Sequence, residues 1–221
     1  MHYTRFKLNE FVIKSQRILK VTQQNSHVKA AVDQYGYAEE RIAEGQYLYD
    51  ALSDAMERQL RIEGSKVACV AEKSARQELV ARLYMKYLKI ARIVFEADEE
   101  AQVALVLKGP RERVYEKWFY QVSIFCNNLL ATPDFVTQMN VFGVEMKHVE
   151  VLKEELSQLQ LLSEKCTRLV AEVRKVVNER QRKTILWQAW LSDYIKIVRI
   201  AVQDSDQVNQ EWIRQLLSKG E

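Results

Sequence analysis

The chain repeats a segment of its own sequence. Residues 87–93 read Tyr-Leu-Lys-Ile-Ala-Arg-Ile, and residues 194–200 read Tyr-Ile-Lys-Ile-Val-Arg-Ile. The offset is 107 residues (194 − 87 = 107), and the same offset separates Gly36 from Gly143. Because self-similarity at a fixed offset reports on the whole architecture, it constrains the fold more than any single motif. The repeat predicts an internal duplication of one helical unit.

Glycine and proline are scarce, with six Gly and two Pro in 221 residues. Both residues interrupt helices, so their scarcity favours long helices and an all-α fold. Hydrophobic residues make up 48% and charged residues 29%, which is typical of a globular chain rather than a disordered one. We expect two intertwined helical repeats, residues 1–109 and 110–221, that together form one structural unit.

A long helical pattern follows each of the two matched glycines. In the second repeat, apolar residues keep a heptad spacing from Val149 to Ala201, which is typical of a coiled-coil seam. We therefore predict two long antiparallel coiled-coil helices, over roughly residues 38–97 and 145–203. The first repeat has a polar middle, so a helical hairpin in each copy, near residues 63–66 and 176–184, remains an alternative.

Short helices flank the long ones in both repeats. Ser26 can cap a short helix before Gly36, and in the second repeat Thr132 and Pro133 suit the start of the matching helix. Asp98 is placed to cap another helix after the first long one. If the long helices are antiparallel, the short helices gather into a cluster at each end.

The charge pattern argues against two classes of partner. The chain has 33 basic and 30 acidic residues, interleaved along the sequence, and lacks the clustered basic patch of a nucleic-acid-binding protein. No stretch approaches the roughly 18 consecutive apolar residues of a membrane span, and the first residues lack the apolar run of a signal peptide. We expect neither nucleic acid nor membrane as a partner, and a cytoplasmic location.

Three cysteines, Cys69, Cys126 and Cys166, occur without CxxC or metal-binding spacing. An odd number with this spacing is typical of small buried or half-buried hydrophobic residues in a reducing compartment. The cysteines therefore agree with the cytoplasmic location.

The repeated motif supplies the candidate site residues. It contains one tyrosine and two cations in each copy, namely Tyr87, Lys89 and Arg92 in the first and Tyr194, Lys196 and Arg199 in the second. A spacing of three residues puts the two cations on one helix face, where they could bind an anion or a phosphate group. We prefer a structural interpretation, because cations near a helix C-terminus complement the helix dipole and their stems cover apolar surface. We likewise interpret Gly36, Gly143 and the two tyrosines as structural repeat positions.

No catalytic or metal-binding constellation is evident. Glu145 and His148 form one Glu-x-x-His motif, but a di-iron site in a helical bundle needs two, and the matched positions are Ala38 and Arg41. No HExxH, GxSxG or P-loop motif occurs, and no histidine lies beside a cysteine to activate it. We therefore predict no cofactor, no metal and no enzymatic activity.

The sequence resembles an uncharacterised family of bacterial all-helical tandem-repeat proteins. Three segments carry the resemblance: Ile90-Ala91-Arg92-Ile93-Val94-Phe95 with Asp98, Tyr35-Gly36-Tyr37-Ala38-Glu39-Glu40-Arg41-Ile42, and Leu130-Ala131-Thr132-Pro133-Asp134-Phe135. The resemblance covers most of the chain, although the proline that follows the aspartate in the family is missing from both copies. It implies the helical architecture and no assigned activity.

These observations favour a non-enzymatic helical scaffold or protein-interaction protein, which could also form homo-oligomers. The alternative is a small-ligand or anion-binding bundle that uses the repeated motif. We expect the aromatic residues to form core first and, for some of them, a patch that binds a partner. These residues are Trp118, Phe119, Tyr120, Trp187, Trp190 and Trp212.

Overall fold

A computed structural model describes residues 7–204. The helices are α1 (Leu8–Gln24), α2 (Ser26–Asp33), α3 (Glu39–Val94), α4 (Glu99–Ala104), α5 (Tyr115–Ala131), α6 (Pro133–Asn140) and α7 (Met146–Gln203). This part of the chain contains no strand, so the predicted all-α fold class is confirmed. Trp212 lies outside the described residues.

The two copies build the same succession of helices. Helix α5 begins and ends 107 residues after α1, α6 does so relative to α2, and α7 begins 107 residues after α3. Gly36 and Gly143 precede the long helices with φ angles of 81° and 76°. Glycine adopts this left-handed conformation without a steric penalty, which agrees with the structural role predicted for both positions.

Both long helices are continuous, so the alternative of a hairpin in each copy is wrong. Helix α3 contains 56 residues and α7 contains 58. Gly64, in the polar middle of α3, remains helical. A lone glycine destabilises a helix interior by only about 1 kcal/mol relative to alanine, which the rest of this long helix can offset.

The chain divides into two compact units that do not follow the boundary between the sequence repeats. Unit 1 takes the residues up to Glu63 and from Glu172 onward, and unit 2 takes Gly64–Ala171. Unit 1 thus combines α1, α2 and the start of α3 with the last part of α7, whereas unit 2 combines the rest of α3 and α7 with α4, α5 and α6. Each unit contains residues of both repeats.

Within each unit the segments of α3 and α7 are antiparallel. In unit 1, Tyr49 packs on Trp187 and Arg58 pairs with Glu179 at 3.4 Å. In unit 2, Arg76 pairs with Glu155 at 2.7 Å, and position 69 of α3 faces position 166 of α7. The contacts advance along α3 while they retreat along α7, as predicted for antiparallel helices.

Each unit has its own core. Unit 1 buries Phe11, Ile18, Leu19, Leu52, Trp187 and Tyr194 completely. Unit 2 buries Tyr84, Leu88, Phe95, Leu105, Phe125 and Leu129 completely. The short helices of each unit therefore cover the apolar faces of the long ones.

The helix caps match the sequence in part. The Asp98 carboxylate accepts the Ala101 N–H at 2.9 Å, which confirms the predicted cap of α4. Asn25, and not Ser26, caps α2, because its side-chain oxygen accepts the N–H groups of His27 and Val28 at 3.1 and 3.2 Å. Ser26 is the first residue of the helix itself.

Candidate functional site

The two tyrosines of the repeated motif are buried but have different surroundings. Tyr194, in unit 1, donates a hydrogen bond from its hydroxyl to Thr22 Oγ1 at 2.5 Å. Its burial raises its pKa to about 12, since a phenolate would be poorly solvated there. Tyr87, in unit 2, packs its ring on His148 with 6.4 Å between ring centroids.

The four cations of the motif also differ in their partners. Arg92 donates from Nε to the Leu107 carbonyl at 2.8 Å and from Nη2 to the Gly109 carbonyl at 3.1 Å. Lys196 pairs with Asp193 at 2.8 Å. Lys89 and Arg199 are exposed and form no ion pair in the described part of the chain. Arg92 therefore holds the turn after α4, while anion binding by these residues remains a prediction.

Arg111 completes the turn after α4, a role that no sequence motif indicates. Its Nη1 donates to the Tyr84 hydroxyl at 2.7 Å, and its Nη2 donates to the carbonyls of Val106, Lys108 and Gly109 at 3.1 Å each. Val106 has a φ angle of 52°, a conformation that a β-branched residue rarely adopts. The two guanidinium groups thus satisfy the carbonyls of a strained turn.

A cavity of about 260 Å³ lies beside Tyr194 in unit 1. Helices α1, α2, α3 and α7 all contribute to its wall, which is lined by Thr22, Gln23, Lys29, Val32, Glu39, Ile42, Ala43 and Tyr194. Thr22 and Val32 are buried, whereas Lys29 and Glu39 are exposed. The cavity combines an apolar interior with two opposite charges, which suits a small polar molecule with an apolar part.

The matched positions of unit 2 carry apolar side chains instead. With the offset of 107, the counterparts of Thr22, Lys29, Val32, Glu39 and Ile42 are Leu129, Val136, Met139, Met146 and Val149. All of these are buried in the unit 2 core except Met146, which packs against it. A depression of about 360 Å³ in unit 2 is lined by two of these residues, Val136 and Met146, and its lining does not include Tyr87.

An aromatic stack runs beside the cavity in unit 1. Trp190 stacks between Trp187 and Tyr194, with ring centroids 5.5 and 5.0 Å away. Trp187 donates from Nε1 to Ser15 Oγ at 2.9 Å, so Trp187 and Tyr194 each bind a hydroxyl of α1 one heptad apart. This order holds the Tyr194 ring firmly in the cavity wall. Trp187 and Trp190 are both buried, which confirms the prediction that they form part of the core.

All three cysteines are buried, and two of them are bonded to each other. Cys69 and Cys166 form a disulfide between α3 and α7 of unit 2, with 5.8 Å between their Cα atoms. This separation falls in the range that a disulfide needs, and it arises because the antiparallel helices bring the two positions face to face. Only Cys126 is a free thiol, and burial raises its pKa to about 12. The expected burial of the three cysteines is confirmed, whereas the Cys69–Cys166 bond does not agree with the expected reducing compartment.

The Glu-x-x-His motif forms the start of α7. The Glu145 N–H donates to His148 Nδ1 at 3.0 Å, and the Glu145 carboxylate pairs with Lys147 at 2.7 Å. Lys147 thereby lowers the pKa of Glu145. Among residues 7–204, no three His, Cys, Asp or Glu side chains gather in a way that could hold a metal ion. None of the described helices is long and apolar enough to cross a lipid bilayer.

Large apolar side chains are exposed at matched positions of the two copies. Three pairs share this property: Ile13 with Tyr120, Tyr35 with Phe142, and Ile93 with Ile200. Other exposed apolar residues are not repeated, as for Leu60, whose counterpart is Thr167. The repeated exposures belong to α1, the turn before α3 and the end of α3 in the first copy, and to the same elements of the second.

Comparison of the chain with protein-family models, with curated proteins and with solved structures found no match. The candidate sites therefore rest on the chemistry and geometry of the chain alone.

Proposed function

We propose that the protein is a non-enzymatic helical scaffold that binds other proteins through the apolar residues exposed in both copies. The observation that carries the proposal is the recurrence of exposed apolar side chains at three matched positions. Exposed apolar side chains that together form a patch are typical of protein-binding surfaces. Their recurrence favours a shared use over isolated chance exposure.

The turn before each long helix exposes an aromatic side chain in both copies. Phe142 and its neighbour Val141 are exposed in unit 2, at 53% and 83% of their surface. In unit 1, the matched Tyr35 donates its hydroxyl hydrogen to the carboxylate of Asp204, and the preceding Gln34 is polar. The aromatic side chain is therefore retained in both units, and the unit 2 turn presents the more apolar of the two surfaces.

Site-specific photo-crosslinking in the native host tests this function. A benzophenone amino acid replaces Phe142 or Ile93 in the full chain, and the same residue replaces Leu60 as a control at a similarly exposed but unrepeated position. We expect a discrete crosslinked protein from the first two positions and none from Leu60. A second copy of the chain in the product would show that the partner is a homo-oligomer, which light scattering can check.

A matched variant keeps the test independent of the first two crosslinking positions. The benzophenone is placed at Tyr120 instead, and Ile93→Glu with Phe142→Glu should abolish the crosslink from there. Because all three side chains are exposed, the stability should change by less than about 0.5 kcal/mol per site. Absence of any crosslink at the repeated positions would contradict the proposal.

The alternative function is anion binding at the repeated motif. The exposure of Lys89 and Arg199 favours it, whereas the ion pair of Lys196 with Asp193 opposes it. Inorganic phosphate at millimolar concentration should then raise the melting temperature, and Lys89→Ala with Lys196→Ala should remove this effect without lowering the stability in its absence. No phosphate-dependent shift in the unmodified protein would dismiss the alternative.

A cytoplasmic location and membership of the bacterial helical family remain part of the proposal. The Cys69–Cys166 disulfide weighs against the location, because disulfides persist mainly in oxidising compartments. Alkylation of free thiols in intact cells, followed by mass spectrometry, decides the matter. Modified Cys69 and Cys166 support the cytoplasm, and a protected pair contradicts it.

A further inference from the structure

Two buried positions in the wall of the unit 1 cavity carry shorter side chains than their counterparts in unit 2. Val32 stands where unit 2 has the longer Met139, and Thr22 stands where unit 2 has Leu129. Met139 and Leu129 are completely buried. The helices that frame the two regions begin at matched residues, so unit 1 carries these two shorter side chains on the same frame. At about 260 Å³ the space is slightly smaller than the pockets that hold drug-sized ligands, and it suits a small metabolite.

The charged residues of the cavity define the ends of such a molecule. Lys29 on α2 replaces Val136, and Glu39 at the start of α3 replaces Met146. Both are exposed and form no ion pair within residues 7–204. A ligand that satisfies both charges must carry an anionic group and a cationic group.

The remaining wall accepts an apolar side chain. Val32 and Ile42 supply apolar surface, and the ring of Tyr194 closes one side. The Tyr194 hydroxyl donates to Thr22 Oγ1, and the Thr22 hydroxyl lies within reach of the Ile18 and Leu19 carbonyls at 2.8 and 3.0 Å. These contacts fix the wall before any ligand arrives, which lowers the entropy lost on binding.

From this combination of space, paired charges and apolar wall, we infer that unit 1 binds a free α-amino acid with an apolar side chain. The Lys29 ammonium binds the ligand carboxylate, the Glu39 carboxylate binds the ligand ammonium, and the ligand side chain packs on Val32 and Ile42. The inference goes beyond the scaffold function, because a protein could use its exposed apolar residues without this cavity.

Calorimetric titration of the full chain tests the inference with three related probes. L-leucine carries both charges, leucine amide lacks the carboxylate, and isocaproate lacks the ammonium. We expect L-leucine to bind at millimolar or lower concentration and each analogue to bind about tenfold more weakly, since a hydrogen bond to a charged group is lost. Equal binding of the analogues, or no heat with L-leucine, L-methionine or L-phenylalanine, would overturn the inference.

Variants borrowed from unit 2 assign the two charges separately. Lys29→Val should weaken binding of L-leucine but not of leucine amide, and Glu39→Met should weaken binding of L-leucine but not of isocaproate. Glu40→Met is the matched control, because Glu40 is the next residue and does not line the cavity. If Glu40→Met weakens binding as much as Glu39→Met, the charge acts at long range and the assigned contacts are wrong.

A filling variant tests the cavity itself. Val32→Met introduces the residue that unit 2 carries at the matched position, and we expect it to abolish binding while the circular dichroism spectrum is retained. Retained binding in a folded Val32→Met protein would show that the ligand lies elsewhere. If this variant fails to fold, the surface variants Lys29→Val and Glu39→Met decide the question, since neither residue is buried.

Discussion

Units 1 and 2 pack matched helices with different interior side chains. Their helices begin at residues offset by 107, yet four matched interior positions differ in kind: Ser15 and Val122, Thr22 and Leu129, Gly45 and Leu152, Trp187 and Val80. At these four positions unit 1 carries one large aromatic residue and three small or polar ones, whereas unit 2 carries aliphatic residues throughout. The repeat therefore sets where the helices begin, while the interior residues set how each unit is packed and which side chains line its depressions.

The packing of unit 1 depends on a few specific contacts, in which a large side chain lies against a small residue. Trp187 fits because Ser15 opposite is small and accepts its N–H, and Trp190 fits because Gly45 has no side chain. In unit 2 the counterparts of these residues are aliphatic, and a disulfide adds a covalent link between α3 and α7. Substitutions at matched positions should therefore have unequal effects.

The largest difference is expected between Trp187→Ala and Val80→Ala. Trp187 is completely buried, and its loss removes the contacts with Trp190 and Tyr49 and the hydrogen bond to Ser15. We expect Trp187→Ala to lower the free energy of unfolding by about 4 kcal/mol and Val80→Ala by about 2 kcal/mol. Urea unfolding followed by circular dichroism measures both, and equal losses would show that the two interiors tolerate truncation alike.

Removal of the disulfide should weaken unit 2 by a slightly smaller amount. Cys69 and Cys166 are 97 residues apart, and a closed loop of this length restricts the unfolded chain. Cys69→Ala with Cys166→Ala should lower the free energy of unfolding by about 2–4 kcal/mol. The same loss should follow when reductant is added to the unmodified protein.

The double variant supplies its own control. Reductant should not change its unfolding midpoint further, because Cys126 forms no disulfide. A further loss would mean that reductant acts on something other than the Cys69–Cys166 pair.

The disulfide shows what the sequence pattern could not give. The repeat offset carries Cys69 to Val176 and not to Cys166, so the duplication offers no hint that the two thiols meet. Their contact depends on how far α3 slides along α7, and a heptad pattern repeats too regularly to choose one register. The long helices themselves were predictable, because the scarcity of Gly and Pro acts locally on the backbone.

The cavity could be predicted from the sequence only in part. Alignment of the two copies position by position matches Lys29 with Val136 and Glu39 with Met146. Each pair places a charged residue in the first copy where the second copy has an apolar one. These exchanges are visible in the amino-acid sequence and mark the four residues as a place where the copies diverge. That Lys29 and Glu39 share one cavity depends on the approach of four helices, which the sequence does not show.

Substitution of two helical glycines, one in each unit, should change the stability in opposite directions. A methyl group at Gly45 would lie 2.3 Å from the Trp190 ring, whereas one at Gly64 would meet nothing within 4 Å. We expect Gly45→Ala to destabilise the protein by about 1–3 kcal/mol through overpacking. Gly64→Ala should stabilise it by about 0.5–1 kcal/mol, because alanine loses less backbone entropy on helix formation. Thermal unfolding measures both changes.

A second-site change checks the cause of the Gly45 effect. Trp190→Leu introduces the residue of the matched position Leu83 and should relieve the clash of Gly45→Ala in the double variant. If the two substitutions add without compensation, contact with Trp190 does not explain the loss.

The smallest effect is expected at the tyrosine of the repeated motif. Tyr194→Phe removes the hydrogen bond to Thr22 and should cost about 1 kcal/mol at neutral pH, whereas Tyr87→Phe should cost less, since Tyr87 makes no hydrogen bond in the described part of the chain. Burial raises the Tyr194 pKa from 10.0 to about 12, so between these values the folded protein keeps a proton that the unfolded chain has lost. The contribution is therefore complete below pH 10 and is lost as the pH rises toward 12.

Unfolding measured at several alkaline pH values separates Tyr194 from the other tyrosines. The unmodified protein and Tyr87→Phe should both lose stability steeply as the pH rises from 10 toward 12, because Tyr194 is intact in each. Tyr194→Phe should follow a shallower course, so that its deficit at neutral pH shrinks in alkaline solution. Parallel curves for all three proteins would show that the Tyr194 hydroxyl is no harder to ionise than the Tyr87 hydroxyl. The two copies of the motif would then not differ in this respect.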